Sequence, residues 1–242
     1  MKFLLGGLVL VEQILTISSN QDAGYDIFTA AGSPANPSLF IVTVNSTIRV
    51  AAMTSSACPT GSRIRIINNG CIYGLGGAGG AGGDAGAGVT PGATGTAGGA
   101  ALTLPTGLDM AEIDNTNGYI LGGGDGGRGG DSFYHPLDYE AGGGGGGGAG
   151  GPKGTGGTQG TAYAGSASYL PHWGGFYWNQ GFPGQFMEWG DGGVGGQSFY
   201  GNGANGSNGG SYGVNGKAVT LNGVPLTWLG GNNGTQVKGA VS

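Results

Sequence analysis

His135 and His172 are the only imidazoles in a chain of 242 residues. Neither belongs to a His-x-x-x-His pair that could grip a metal from one helix face. Asp138, Glu140, Glu188 and Asp191 could be paired on paper as the acid and base of a glycosidase. That chemistry needs a set carboxylate separation, and nothing in the sequence imposes one. The glycine tracts contain chance matches to dinucleotide fingerprints, but without the strand and helix that give such a motif its meaning, and no P-loop lysine motif is present. No catalytic residue, metal or cofactor is therefore expected. Cys58 and Cys71 are too few for a disulfide scaffold or a zinc site, and read either as two reduced or buried thiols or as one local disulfide.

What could do chemistry here is aromatic recognition. Of 4 Trp, 10 Tyr and 8 Phe, fourteen fall between Phe133 and Tyr200. One segment, Ser132–Glu140, carries Phe133, Tyr134, His135 and Tyr139. A second, Tyr163–Trp189, carries Tyr169, His172, Trp173, Phe176, Tyr177, Trp178, Phe182, Phe186 and Trp189. A third is Ser198-Phe199-Tyr200. Tyr and Trp offer large contact area with little side-chain entropy to lose, and they dominate binding hot spots. These thirteen residues of the first two segments are the candidate contact residues. The plainer reading is that they pack on one another as a small core.

The elements that must position them are glycine tracts. Glycine numbers 63 and proline only 10, which excludes collagen, where Gly recurs at every third position with abundant Pro. From Gly74 onward the tracts hold a register of three: Gly76-Gly77-Ala78-Gly79-Gly80-Ala81-Gly82-Gly83-Asp84, Gly126-Gly127-Arg128-Gly129-Gly130-Asp131, Gly192-Gly193-Val194-Gly195-Gly196-Gln197, and an Asn-Gly-x version over 202–210. Gly142–Gly148 is unbroken. A period of three matches the polyproline-II or polyglycine-II helix, which has three residues per turn and no internal hydrogen bonds. Each GGX helix then has two bare faces that neighbours can approach, and its backbone groups must find partners on adjacent rods. Flexible linkers are the bland alternative. The triplet register and the scarcity of serine favour packed rods, with the X residues outside or between layers.

Residues 1–73 read differently. Leu39–Val44, Thr47–Val50 and Arg63–Ile67 are strand-like, with turns at Gly32-Ser33-Pro34, Pro59-Thr60-Gly61 and Asn68-Asn69-Gly70. The apolar run Phe3–Val11 is too short to span a bilayer. It reads as a strand or attachment segment, with a short signal peptide as the alternative. The unit Asn-Gly-x-Ile-x-Gly occurs at Asn69–Gly74 and again at Asn117–Gly122, each time running into glycine; Ile66, Ile67 and Ile113 just upstream should stack across the two repeats. The expected fold is mainly β and irregular, cut as 1–73 (a β-rich attachment domain), 74–216 (packed polyglycine-II helices with aromatic loops) and 217–242 (a C-terminal β segment). With a net charge of −5 and eight Lys plus Arg, no basic stripe is available for nucleic acid or an anionic membrane.

The Asn117-Gly118-Tyr119-Ile120-Leu121-Gly122-Gly123-Gly124 unit, with interleaved glycine tracts and aromatic loops, resembles the glycine-rich distal tail-fibre adhesins of tailed bacteriophages, the receptor-recognition class of T-even type. The ending, Gly216–Thr220, Leu226–Leu229 and Gly234–Ser242, is similar to endings of glycine-rich tail-tip and tail-fibre proteins of long-tailed phages. The resemblance covers about residues 64–242. It implies a polyglycine-II sandwich at a fibre tip, in the virion, after assembly in the host cytoplasm. Loops between rods would touch an outer-membrane protein or surface glycan, and the N-terminal part would join other phage tail proteins. The protein would be either a homotrimer or a monomer capping a trimeric fibre. About six tracts are present, fewer than that sandwich leads one to expect, so the lattice is smaller or is completed by several chains, with Ala218–Leu229 and Trp228 packing the oligomer. Two other readings stand beside this one: a fibre-tip cap or assembly protein whose aromatics bind only sister subunits, and an ice-binding glycine-helix protein, against which the aromatic load argues.

Overall fold

The structure is a computed structural model of the chain. It describes residues 2–5, 8–55, 58–84, 89–135, 138–140, 148, 150 and 216–242; residues 2–5, 8–9, 133–135 and 138–140 are described through their backbone. Two compact units result, and they are not serial: residues 1–74, 100–122 and 217–242 make the first, 75–99 and 123–216 the second. The serial cuts drawn from the sequence therefore differ from these units. Residues 100–122 return to the first unit, and 217–242 complete it.

Unit 1 is a stack of coils wound through three sheets, with parallel pairing from coil to coil. The first coil holds β1 (Lys2–Leu5) and β2 (Leu8–Ile17), an antiparallel hairpin, then β3 (Tyr25–Asp26) and a one-turn helix α1 (Ile27–Ala30). This helix is a single turn in an otherwise β and irregular unit. Asp26 caps this one by accepting from the Thr29 N–H at 2.7 Å. The second coil is β4 (Ser38–Val44), β5 (Arg49–Ala51) and β6 (Met53–Thr54). The third is β7 (Arg63–Asn68), β8 (Cys71–Tyr73) and β9 (Leu102–Thr103). The fourth begins with β10 (Met110–Asp114) and β11 (Tyr119–Leu121). After β12 (Phe133–His135) and β13 (Asp138–Glu140) of unit 2, it resumes with β14 (Val219–Thr220). The last coil is β15 (Leu226–Gly230), β16 (Val237–Lys238) and a bridge from Val241 to Val219. The sheets run β1-β2-β4-β7-β10-β15, β16-β11-β8-β5 and β14-β9-β6-β3.

Alternation along each strand points one residue set inward, and parallel register stacks equivalent residues from coil to coil. Phe40, Ile64 and Ala111 form one such column, and Val42, Ile66 and Ile113 the next. Val50, Ile72 and Ile120 line the second sheet; Met53, Leu102 and Val219 line the third. All are fully buried in one core. The expected stacking of Ile66 on Ile113 is found, and the two Asn-Gly-x-Ile-x-Gly units lie side by side, with Cys71, Ile72 and Tyr73 paired to Tyr119, Ile120 and Leu121. The strand expectations over 39–44 and 63–67 correspond to β4 and β7, but Thr47 and Ile48 belong to the turn before β5, not to a strand. Cys58 and Cys71 are both free, so the local disulfide is not formed. Trp228 packs on this chain's own core from β15, which pairs with β10; here it is a residue of the last coil.

Coils are offset by 24 residues between Ser38 and Ser62, but by 47 between Arg65 and Glu112. The difference is the departure into unit 2. In the second coil a single residue, Ala52 at φ 39, turns the corner from β5 to β6; in the last coil Gly239 at φ 114 does so after β16. At the same corner of the third and fourth coils the chain leaves unit 1, over 75–99 and 123–216. The mainly β and irregular class expected from the sequence is what the structure shows.

Candidate functional site

The first described candidate segment is reached by building unit 2 from its backbone. Three stretches, 75–84, 89–99 and 123–132 (rods 1, 2 and 3), are neither helix nor strand. Their hydrogen bonds recur at every third residue. Gly77, Gly80 and Gly83 of rod 1 donate to Gly124, Gly127 and Gly130 of rod 3, each within 2.9 Å. Gly123, Gly126, Gly129 and Ser132 of rod 3 donate to Gly99, Thr96, Ala93 and Thr90 of rod 2. Ala93, Thr96 and Gly99 of rod 2 donate to Ala81, Ala78 and Leu75 of rod 1. Rods 1 and 3 are parallel and rod 2 runs against both, so donation closes a ring around three mutually adjacent rods. This is the threefold helix that the triplet register implies.

The glycine requirement is steric. A Cβ on Gly126 would sit 1.8 Å from the Ala78 carbonyl oxygen, and one on Gly95 would sit 2.2 Å from that of Gly126. Gly77, Gly80 and Gly83 meet rod 2 in the same way. Rod 2 is nevertheless not a GGX tract. Its sequence, Gly92-Ala93-Thr94-Gly95-Thr96-Ala97-Gly98, has one glycine per triplet, and Ala93, Thr94, Thr96 and Ala97 are exposed. One glycine per triplet does not mark a rod in the sequence as GGX does.

Rod 3 is the buried one, and its X residues do not reach solvent freely. Asp125 and Asp131 are 7 % and 8 % exposed. Asp125 Oδ1 accepts the Gly98 N–H and Asp131 Oδ1 the Gly92 N–H, each at 2.9 Å. Arg128 pairs with Asp131, and Ser132 Oγ accepts the Thr90 N–H at 2.7 Å. The side chains of rod 3 thus bind the Thr90, Gly92 and Gly98 amides of rod 2. Gly148 joins the same lattice, donating to the Gly77 carbonyl at 2.8 Å with its Cα against Gly124; Gly216 lies against Gly123.

Directly after rod 3 the chain forms the antiparallel hairpin of β12 and β13. Phe133 pairs with Glu140, Tyr134 with Tyr139 and His135 with Asp138. Four candidate contact residues, Phe133, Tyr134, His135 and Tyr139, therefore share one short hairpin. Tyr169, His172, Trp173, Phe176, Tyr177, Trp178, Phe182, Phe186 and Trp189 lie outside the described residues, as do Glu188 and Asp191. Among the described residues no group of three His, Cys, Asp or Glu could hold a metal ion. The arrangement is suited to presenting a loop on a stiff backbone scaffold.

No curated protein sequence matches this chain. A solved structure, that of the gp37–gp38 adhesin tip complex of the bacteriophage S16 long tail fibre, is similar to it at 18 % identity, with 96 % of this chain and 82 % of that one covered and a TM-score of 0.46. The family model of the phage tail fibre adhesin Gp38 matches residues 12–242. That match runs through the β solenoid, both departures into the glycine rods and the last coil, and by it the chain belongs to the phage tail fibre adhesin Gp38 family.

Proposed function

We propose that this tail fibre adhesin recognises its host through the aromatic segments Phe133–Glu140 and Tyr163–Trp189, held by the glycine rods of unit 2. The observation that carries the reading is the hairpin of β12 and β13. It follows without a linker on the rod that is hydrogen-bonded from two neighbours, and it brings Tyr134 into register with Tyr139. A recognition loop binds more tightly when its base is ordered beforehand, because less entropy is lost on contact. The receptor is an outer-membrane protein or a surface glycan, and the role is binding rather than catalysis. Unit 1 joins the adhesin to other phage tail proteins, as a monomer on a trimeric fibre or within a homotrimer. The protein would be made in the host cytoplasm and carried at the tail tip.

The test is adsorption. Particles bearing Tyr134→Ala with Tyr139→Ala, or Trp173→Ala with Trp178→Ala, should lose host-cell binding while the purified variants keep the parent's circular dichroism and melting temperature. Unchanged adsorption by both pairs would overturn the loop assignment.

A further inference from the structure

The corner between the first and second sheets of unit 1 carries two sets of asparagines with different fates. Asn68 and Asn115 point inward, are fully buried and are consumed by the stack. Asn68 Nδ2 donates to Asn115 Oδ1 at 2.7 Å and to the Tyr119 carbonyl at 3.0 Å; Asn68 Oδ1 accepts the Gly70 N–H at 3.1 Å; Asn115 Nδ2 donates to the Gly231 carbonyl at 3.0 Å. These residues hold coil to coil. Asn69 and Asn117, their outward neighbours, meet through one contact, Asn117 Nδ2 to Asn69 Oδ1 at 3.2 Å. That contact leaves the Asn69 amide NH2 and the Asn117 carbonyl oxygen for a ligand.

A depression lies over this pair, lined by Ser18, Asn45, Ser46, Thr47, Ile48, Asn69 and Asn117. Four successive coils contribute to it. It exists because the turn from β4 to β5 is longer than the turn from β7 to β8, so that Asn45, Ser46 and Thr47 stand out beside the others. Thr47 adopts φ 67, a left-handed backbone that a β-branched residue rarely takes. Such strain gathers at binding sites and turns that the surrounding structure over-determines. The lining holds no charge. Apart from Ile48, every side chain is an amide or a hydroxyl.

We infer that this corner is a second binding site, for a neutral saccharide. Uncharged amides and hydroxyls in an open depression match a polyol, whose hydroxyls both donate and accept. They offer no cation to pair with a phosphate or a carboxylate, and too little apolar surface for a lipid chain. The site lies within unit 1 and does not depend on the aromatic segments.

The experiment is saturation-transfer NMR on the full chain with the methyl glycosides of glucose, galactose and mannose, and with N-acetylneuraminic acid as the anionic control. At least one neutral glycoside should give a saturable signal with a dissociation constant of roughly millimolar order, and the anionic sugar none. The double variant Asn69→Ala/Asn117→Ala should weaken binding at least ~10-fold, as loss of paired polar contacts does. Ser46→Trp, at an exposed position, should fill the depression and abolish the signal without touching the amide pair. A tetrasaccharide arm separates sources: binding that tightens with length assigns a surface polysaccharide, and equal binding a free sugar. No signal from any neutral glycoside, or a signal unchanged in both variants, would overturn the site.

Discussion

The two units of this adhesin are held together by opposite means. Unit 1 buries side chains. Its columns of Ile, Val, Leu and Phe stack from coil to coil, and each fully buried aliphatic contributes about 1.5–3 kcal/mol. Unit 2 has few side chains to bury in its rods, so what is packed there is the backbone itself, with hydrogen bonds at every third residue and carbonyls in contact with Cα atoms. The same sequence device, glycine, is a corner-turner in the first unit and a packing surface in the second. The comparison teaches that glycine content alone says little; what matters is how many neighbours a rod has. Rod 3, buried almost all round, uses two glycines per triplet, while rod 2, open on one side, needs one.

The largest effect should follow from adding one carbon in the lattice. Gly126→Ala places a Cβ against the Ala78 carbonyl, and a backbone atom cannot give way as a side chain can. A loss of about 4 kcal/mol is expected, beyond the usual cost of overpacking, read as a fall in the melting transition of unit 2. Thr94→Ala, on an exposed position of the adjacent rod, should lie within about 0.5 kcal/mol of the parent. Equal effects of the two would remove the distinction between bare and open faces.

The matching change in unit 1 is Ile66→Ala, which leaves a cavity between Val42 and Ile113. It should cost about 3 kcal/mol by chemical denaturation and leave the Gly126 amide protected. Next comes Asp131→Ala, which strips the Gly92 N–H of its acceptor and Arg128 of its partner. About 1–3 kcal/mol is expected for a buried donor left unmatched, with Asp131→Asn closer to the parent.

The last test is the pH dependence of unit 1, small near neutral pH and growing in alkali. In unit 1 burial pushes the Cys71 thiol up to about 12, with Arg49 opposing, and the Tyr73 phenol up to about 12, again with Arg49 opposing. Both groups lose protons earlier in the unfolded chain. Between about pH 9 and 12 the native form therefore holds more protons, and stability falls as pH rises through that window. Denaturant midpoints of unit 1 measured from pH 8 to 12 should fall, and less steeply in Cys71→Ala. A flat profile would contradict the burial of these two groups.

These contrasts also explain what was legible in the sequence. Rods 1 and 3 could be read because each keeps a GGX register, of which one glycine per triplet meets a neighbouring backbone too closely for a Cβ. Rod 2 could not, because a rod with fewer neighbours tolerates Ala and Thr at two of three positions. Asn69–Gly74 and Asn117–Gly122 announced themselves as a repeat because Gly70 and Gly118 both abut backbone or amide atoms of the preceding coil. The neighbouring coils escaped notice. In the second, the corner carries extra residues before Val50; in the last, Val237 replaces the isoleucine. Coil period itself was hidden by the long departures at 75–99 and 123–216. Of the candidate contact residues, Phe133, Tyr134, His135 and Tyr139 lie on one hairpin, whose pairing no spacing rule foretold. The polar corner at Asn69 and Asn117 was signalled only by Asn-Gly, which reads first as a turn.

The claim beneath all of this is that backbone hydrogen bonds of period three build the scaffold for the aromatic segments. Amide hydrogen exchange followed by NMR tests it directly. Slow exchange is expected at Gly77, Gly80 and Gly83 of rod 1 and at Gly123, Gly126, Gly129 and Ser132 of rod 3. Fast exchange across all seven amides, or protection with no dependence on position, would contradict the account.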